Sequence, residues 1–210
     1  MAAESALQAQ AILRDTSSFS WYVIPLLVVV MYIYSQEAER GNWNRILAAL
    51  AFWGMDWFNE LWNSLIFHIT DFAPMWAAPG DTAYLILIGL NIEISFMFAI
   101  AGIAATLALP IDKHLKILGI NNRLLFAMVW SALSVGVEIL LNSVGALTWE
   151  WSFWNADAPY LIFLFGYMTF YLVCYWVFDM DSRKKQIAVV ASIFSFDLAG
   201  LFVFGSLGWL

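Results

Sequence analysis

The chain has 210 residues, of which 63% are hydrophobic and 12% are charged, and its mean hydropathy is +0.77. Soluble domains average about 45–50% apolar and about 25% charged residues, so a globular core of this length could not bury so much apolar surface. The net charge of −7 argues against a nucleic-acid partner, because phosphate binding needs a basic face. The composition therefore predicts an all-α integral membrane protein, and its single cysteine, Cys174, excludes an intrachain disulfide.

A short polar segment, residues 1–18, opens the chain and contains a weakly amphipathic stretch, Ala2–Leu13. It lacks a basic start followed by an apolar run and a cleavage site, so we do not expect a cleaved signal peptide. We interpret it as an N-terminal lead that can form an interfacial helix.

Residues 19–210 contain six apolar segments, each close to the roughly 20 residues that a helix needs to cross the hydrocarbon layer. We therefore expect a six-span transmembrane domain. The predicted spans are Phe19–Ser35, Ile46–Ile69, Thr82–Leu109, Leu124–Thr148, Pro159–Phe178 and Ile187–Leu210. The third segment is long for one crossing, so we expect it to be tilted or to extend beyond the membrane.

The basic residues predict the orientation of this bundle. All but Arg14 fall in alternate loops: Arg40, Arg45, Lys113, Lys116, Arg123, Arg183, Lys184 and Lys185. By the positive-inside rule these loops face the cytoplasm, which places both termini outside. We expect a multi-pass protein of the plasma (inner) membrane.

The two long outer loops are rich in Trp, Pro and acidic residues. They are Asp71–Asp81 and Trp149–Pro159. Trp normally collects at the interface between lipid and water, so one interpretation is an aromatic belt. The other is a lid over a cavity that opens outward.

Acidic residues within the spans are the most unusual feature of the sequence. They are Asp56, Glu60, Glu93, Glu138 and Asp197. A charged residue such as Asp at a helix centre costs roughly 2.5–3.5 kcal/mol on insertion scales. The acids must therefore face the bundle interior or a wet cavity, and without Lys or Arg in the spans some are expected to be neutral at pH 7.

Polar residues accompany these acids at helical spacing. Asp56, Asn59, Glu60 and Asn63 share one face of the second span, as do Ser134, Glu138 and Asn142 in the fourth. From the helical rise we expect Glu60, Glu93, Glu138 and Asp197 to converge at one depth on a cavity beneath Trp149–Trp154. The alternative is that each acid bonds separately to a neighbouring helix.

The residue types favour proton chemistry on an apolar molecule. His68 and His114 are the only histidines, too few for a zinc, copper or iron site, although an oxygen-bound hard cation stays open. We expect no cofactor. A protonated acid in an aromatic cavity suits carbocation chemistry, because ring faces stabilise cations. The candidate catalytic residues are Glu60, Asp197, Glu138, Glu93 and Asp56. The candidate substrate-binding residues are Asn63, Asn142, Trp62, Tyr167, Tyr171, Trp149 and Trp151.

Two of these acids stand in short motifs, Asn59-Glu60-Leu-Trp62 and Ser195-Phe-Asp197-Leu. These resemble motifs of the small integral-membrane terpene cyclases of meroterpenoid and indole-terpenoid pathways, which carry one essential acid in an early span and another in the last. The resemblance implies that Glu60 and Asp197 are the principal acids of a terpene cyclase or isomerase.

Three functions stay open at this point. The first is a membrane-embedded enzyme acting on an isoprenoid or other lipid by acid–base chemistry. The second is a proton- or cation-coupled transporter, which the apparent absence of inverted repeats and of broken helices disfavours. The third is an accessory subunit of a larger membrane complex, whose other subunits would meet the acids. The expected partners are membrane lipid and a hydrophobic small molecule.

Overall fold

The computed structural model describes residues 1–17 and 19–210 in full and the backbone of residue 18. The helices are α1 Glu4–Ile12, α2 Val23–Glu39, α3 Trp43–Thr70, α4 Ile92–Leu107, α5 Asn122–Ser143, α6 Thr169–Phe178 and α7 Arg183–Ser206. A 3-10 turn covers Thr16–Ser18, and a π-helical segment, Ile162–Met168, leads directly into α6. The strands are β1 Leu85–Leu87, β2 Leu90–Asn91, β3 Lys116–Ile117 and β4 Ile120–Asn121.

This helical architecture agrees with the predicted membrane protein. Among the described residues, α5 and α7 are long and apolar enough to cross a membrane by length and composition. Two further apolar helices, α4 and Ile162–Phe178, are shorter. With 28 residues, α3 is about 42 Å long, but it carries two buried carboxyl groups in its middle.

The central helix is α3, which packs against α2, α4, α6 and α7. Small residues permit this close packing. A Cβ atom at Gly102 of α4 would lie 2.6 Å from the Cα atom of Ala49, and one at Gly54 would lie 2.6 Å from Ile193 of α7. Small residues at such crossings are typical of helix packing in membranes, where close backbone approach maximises van der Waals contact.

The expected third span is wrong in its first part. Residues 85–91 form an antiparallel hairpin, β1 with β2, and α4 begins only at Ile92. The side chain of Asn91 accepts a hydrogen bond from the N–H of Ile94 and caps the helix, which explains where the helix starts. The segment is long because it contains a hairpin as well as a helix, and not because the helix is tilted or extended.

A second hairpin, β3 with β4, precedes α5 in the same way. Residues 85–92 read LILIGLNI and residues 115–122 read LKILGINN, and Asn121 caps α5 as Asn91 caps α4. The two helices run in opposite directions, because the loop before α4 pairs with the loop after α5. The expectation that inverted repeats are absent is therefore wrong for this hairpin–helix unit.

All the basic residues except Arg14 lie in or beside the loops at one end of the bundle, which we call the basic end. At the basic end, Arg123 at the start of α5 binds Asp179 after α6 through two contacts of 2.8 Å. At the opposite, terminal end, the guanidinium of Arg14 donates to the carbonyl of Leu210, with a distance of 2.7 Å. Both chain termini thus lie at one end, together with the two long loops, residues 71–91 and 144–161.

At the terminal end, α1 packs on these loops. The N–H of Ala3 bonds the carbonyl of Phe72, and buried Ala9 belongs to the same hydrophobic cluster as Ala77 and Leu85. The N-terminal lead therefore covers the loops in this structure.

Candidate functional site

A cavity of about 200 Å³ lies between α3, α4, α5 and the segment Ile162–Phe178. Its walls are mainly aromatic and aliphatic. They include Phe52, Ile94, Met97, Phe98, Trp130, Leu133, Val137, Phe170 and Tyr171. Asp56, Glu60 and Glu138 line the same cavity and are each at least 95% buried. The structure therefore brings three of the five predicted acids to one apolar space.

Glu60 is held by a network from α3 and the loop that follows it. The indole Nε1 of Trp76 donates to Oε1 of Glu60 at 2.6 Å, and Nδ2 of Asn63 donates to Oε2 at 3.4 Å. Oδ1 of Asn63 also accepts the backbone N–H groups of Met75, at 2.7 Å, and Trp76, at 3.2 Å. Because Asn63 is three residues after Glu60, both lie on one helical face, and the loop returns onto that face.

Glu138 has a similar arrangement on α5. The indole Nε1 of Trp149 donates to its Oε1 at 2.9 Å, and the hydroxyl of Tyr167 lies beside the carboxyl group. Asn142, four residues after Glu138, donates to the carbonyl of Leu147 at 3.0 Å and holds the start of the loop. On both helices an acid thus bonds the Trp of the following loop, and an Asn positions that loop.

The two loops pair with each other over the cavity. Backbone hydrogen bonds of 3.1 and 2.8 Å join Ala77 and Thr148 in both directions. The rings of Trp76 and Trp154, both of which line the cavity, stack with centroids 5.9 Å apart. Trp151 donates from its indole to the carbonyl of Pro74 at 3.0 Å. The loops form a lid over the terminal end of the cavity, which is the second of the two interpretations of the Trp-rich loops.

Asp56 and Asp197 lie deeper in the bundle. Among the described residues, Oδ2 of Asp56 and both carboxyl oxygens of Asp197 have no hydrogen-bond partner. Asp197 is only 2% exposed on α7, which packs against α3, and it interacts electrostatically with Asp56. It does not line the cavity, so its expected convergence with Glu60 is wrong: its carboxyl group is buried in the contact between two helices.

Glu93 also lies outside the cavity. It stands in the first turn of α4, where it accepts hydrogen bonds from the hydroxyl of Thr82, at 2.6 Å, and the N–H of Ala83, at 2.8 Å. The hydroxyl of Tyr22 also donates to it. The expected depth is wrong because residues 82–91 are not helical, which leaves Glu93 at the helix end, where it holds the loop.

The candidate substrate-binding residues lie in three different places. Tyr167 and Tyr171 line the cavity, and the hydroxyl of Tyr171 is 2.9 Å from that of Ser134. Asn63, Asn142, Trp149 and Trp151 hold the loops and carboxyl groups, as described above. Trp62 is 50% exposed and packs edge-on against Phe58, so its expected place in the site is wrong. Two residues after Glu60, it points to roughly the opposite side of α3.

The π-helical segment Ile162–Met168 contributes to the wall of the cavity. Gly166, Tyr167, Phe170 and Tyr171, from this segment and the start of α6, all line the cavity. Such irregular turns are frequent at functional sites, because the wider turn changes which side chains face inward.

Sequence reasoning did not single out Trp76 or Trp154. Both were included only as part of the Trp-rich loops. One sequence pattern could have identified them. On both α3 and α5, an acidic residue is followed three or four residues later by Asn, and a Trp-rich loop comes after the helix. Among the described residues, no three His, Cys, Asp or Glu side chains lie close enough together to hold a metal ion.

Comparisons with known proteins show the family to which the chain belongs. An uncharacterized protein of Archaeoglobus fulgidus is 57% identical over 211 residues, which cover the whole of both chains. Another uncharacterized protein of that organism is 51% identical over 53 residues, which are 25% of this chain and 95% of the other. No solved structure matches the chain. Residues 3–206 match the sequence model of an uncharacterized membrane protein family, and the chain belongs to that family.

Proposed function

We propose that this protein is a membrane-embedded enzyme that acts on an isoprenoid or other lipid by acid–base chemistry, as a terpene cyclase or isomerase does. The observation that supports it most is the presence of Asp56, Glu60 and Glu138 on one aromatic, apolar cavity. Glu60 and Glu138 also bond different neighbours, but all three acids line one space that a ligand can occupy.

The hydrogen bonds suggest how the proton moves. Glu60 and Glu138 each accept an indole N–H, an arrangement suited to a carboxylate that receives a proton. Asp56 has a free Oδ2 among the described residues, which suits a group that donates one. In the proposed reaction, Asp56 protonates an alkene carbon, and Glu60 or Glu138 removes a proton from another carbon of the cation. The proton that is removed then returns to Asp56 through Glu60, which lies four residues after Asp56 on the same face of α3, so that all the acids regain their starting states.

The aromatic walls have a defined part in this scheme. The cation formed by protonation lies between the rings of Phe52, Trp130 and Tyr171, whose faces attract positive charge. The lid excludes water, which would otherwise capture the cation.

We also propose a full topology for the bundle. In it, α2, α3, α4, α5, the segment Ile162–Phe178 and α7 cross the plasma (inner) membrane, with both termini outside. Arg123 and Asp179 mark one end of the bundle, and Arg14 with Leu210 marks the other. The greater number of basic residues at the first end supports a cytoplasmic position for it.

The enzyme hypothesis is tested with protein in nanodiscs, supplied with lipids extracted from cells that produce it. Liquid chromatography with mass spectrometry should show a lipid converted to an isomer of equal mass. Asp56→Asn and Glu60→Gln should each lower the rate at least about a hundredfold, since general acid–base catalysis contributes about 10²–10⁴-fold. The matched control, Asp157→Asn, changes an exposed loop carboxyl and should keep the rate. Equal lipid profiles for wild type and both acid variants would contradict the proposal.

Proton-coupled transport is the second candidate, and one observation favours it. The hairpin–helix units before α4 and α5 form a short inverted repeat, a feature that is common in transporters. In that case Asp56 and Asp197 would carry the coupled proton, and Asp56→Asn and Asp197→Asn would each abolish proton flux into proteoliposomes without any change in the lipids.

A further inference from the structure

We infer that the cavity receives its ligand sideways from the bilayer, through a slot between α4 and α5, and that this ligand is a linear lipid with one long apolar chain. This inference deepens the proposed function and rests on it for what happens to the lipid once it is bound. The slot is defined by Met97 of α4 and by Leu133 and Val137 of α5.

The slot follows from the way the helices pack. The backbones of α4 and α5 do not approach each other closely, although each packs against α6. Met97, Leu133 and Val137 all line the cavity, yet they are 44%, 57% and 46% exposed. A side chain that both lines a cavity and is exposed on the outer surface marks an opening.

Both ends of the cavity are covered. The lid seals the terminal end through the hydrogen bonds between Ala77 and Thr148. Toward the basic end, the rings of Phe52, Phe98 and Phe170 pack together with centroids 5.6–5.7 Å apart. A ligand therefore has a shorter path from the side of the bundle than from either end.

The slot lies at the depth of the hydrocarbon layer. Met97 is five residues after the first residue of α4. It therefore lies about 7 Å along α4 from the end of the bundle that holds the chain termini. Leu133 is eleven residues after the first residue of α5, or about 16 Å from its basic end. An opening at these positions faces lipid chains when α4 and α5 span the membrane.

The size and polarity of the cavity indicate how the ligand lies. About 200 Å³ is less than the roughly 300–1,000 Å³ of sites that enclose a drug-sized molecule. The cavity therefore encloses only one end of a long lipid, and the rest of its chain passes through the slot. Because Glu60 and Glu138 are next to the lid, the enclosed end is the one that contacts the acids.

Photolabelling in nanodiscs tests this opening. The probe is a long-chain fatty alcohol that carries a diazirine, a linear lipid with one apolar chain, and mass spectrometry maps the adducts. We expect labelling of Phe52 and Phe98, which are 1% and 7% exposed and line the cavity. Leu133→Trp and Val137→Trp should each abolish that labelling by filling the slot. Leu140→Trp is the matched control, because Leu140 is 66% exposed on α5 and does not line the cavity, and it should leave the labelling intact.

Several results would overturn the inference. These are an absence of adducts on Phe52 and Phe98 in the wild type, equal labelling in both slot variants, and stronger labelling of these rings by a water-soluble diazirine amino acid. Cross-linking of α4 to a second copy with an unlabelled interior would also overturn it. Thermal melting of each Trp variant verifies that it is folded. Labelling requires no catalytic turnover, so Phe52 and Phe98 should still be labelled in Asp56→Asn. If lipid enters through the slot but is not converted, the proposed enzyme chemistry is wrong and the inferred opening is not.

Discussion

The indole Nε1 of Trp76 lies 2.6 Å from Oε1 of Glu60, so the lid is joined directly to a carboxyl group of the cavity. The loop that carries Trp76 also pairs with the loop that carries Trp149, which bonds Glu138 in turn. The position of the lid and the protonation of the two acids are therefore linked through these two indole groups.

Trp76→Phe should destabilise the protein by removing this donor while it keeps an aromatic ring. We expect the free energy of unfolding to fall by about 1–3 kcal/mol, the usual cost of leaving a buried hydrogen-bonding group without its partner. Differential scanning fluorimetry in detergent measures the change. Trp62→Phe, at the exposed surface of α3, is the control and should change stability by less than about 0.5 kcal/mol. Equal effects of the two substitutions would contradict the assigned role of Trp76.

Gly89→Ala should displace Trp76 from Glu60. A Cβ atom at Gly89 would lie 2.5 Å from Nδ2 of Asn63 and from Nε1 of Trp76, so the network must move. Overpacking of this kind costs about 1–3 kcal/mol, which a thermal melt detects. Gly136→Ala on α5 meets nothing within 4 Å and should be neutral or stabilising by about 0.5–1 kcal/mol. A stable Gly89→Ala variant with unchanged activity would show that the network tolerates displacement.

The helical membrane class, the positions of most helices and the convergence of Glu60 with Glu138 follow from hydropathy and helical spacing. The hairpin before α4 does not, because an apolar run such as Leu85–Leu90 is equally compatible with a helix until the cap at Asn91 is known. That ambiguity also explains the wrong depth of Glu93. Contacts between distant loops, such as the one between Trp76 and Trp154, depend on tertiary packing and cannot be inferred from spacing along one helix.

The stability of the basic end should decrease at acidic pH. Glu37 lies beyond the apolar part of α2, where burial opposes its charge, but hydrogen bonds from Arg45 and Asn42 outweigh burial and hold the pKa of Glu37 below its usual value. A lowered carboxyl pKa stabilises the folded state above the unfolded pKa of about 4.3, and this contribution disappears as pH falls through the lower folded value.

We therefore expect the melting temperature to fall as the pH decreases below the unfolded pKa of about 4.3, because the folded-state carboxylate becomes protonated. Glu37→Gln should lower the melting temperature at pH 7 and weaken this dependence. Glu39→Gln, which removes an exposed carboxyl group two residues away, is the control and should leave the pH dependence as in the wild type. An identical pH profile for wild type and Glu37→Gln would contradict the prediction.

Cysteine labelling tests the proposed orientation. In a Cys174→Ala background, Ser152→Cys at the terminal end should react with a membrane-impermeant maleimide in intact cells. Lys184→Cys at the basic end should react only after permeabilisation, because the positive-inside rule puts that end in the cytoplasm. The opposite pattern would reverse the topology, and labelling of both sites in intact cells would contradict a six-span bundle.

We expect a lipid to occupy the cavity beside Asp56, Glu60 and Glu138. The most direct measurement is a cryo-electron microscopy structure of the protein in nanodiscs made from the membrane lipids of the cells that produce it. We predict elongated density that passes between Met97 and Leu133 and ends next to the three carboxyl groups. A cavity that contains only water, or that is filled by a side chain of another subunit, would contradict this expectation.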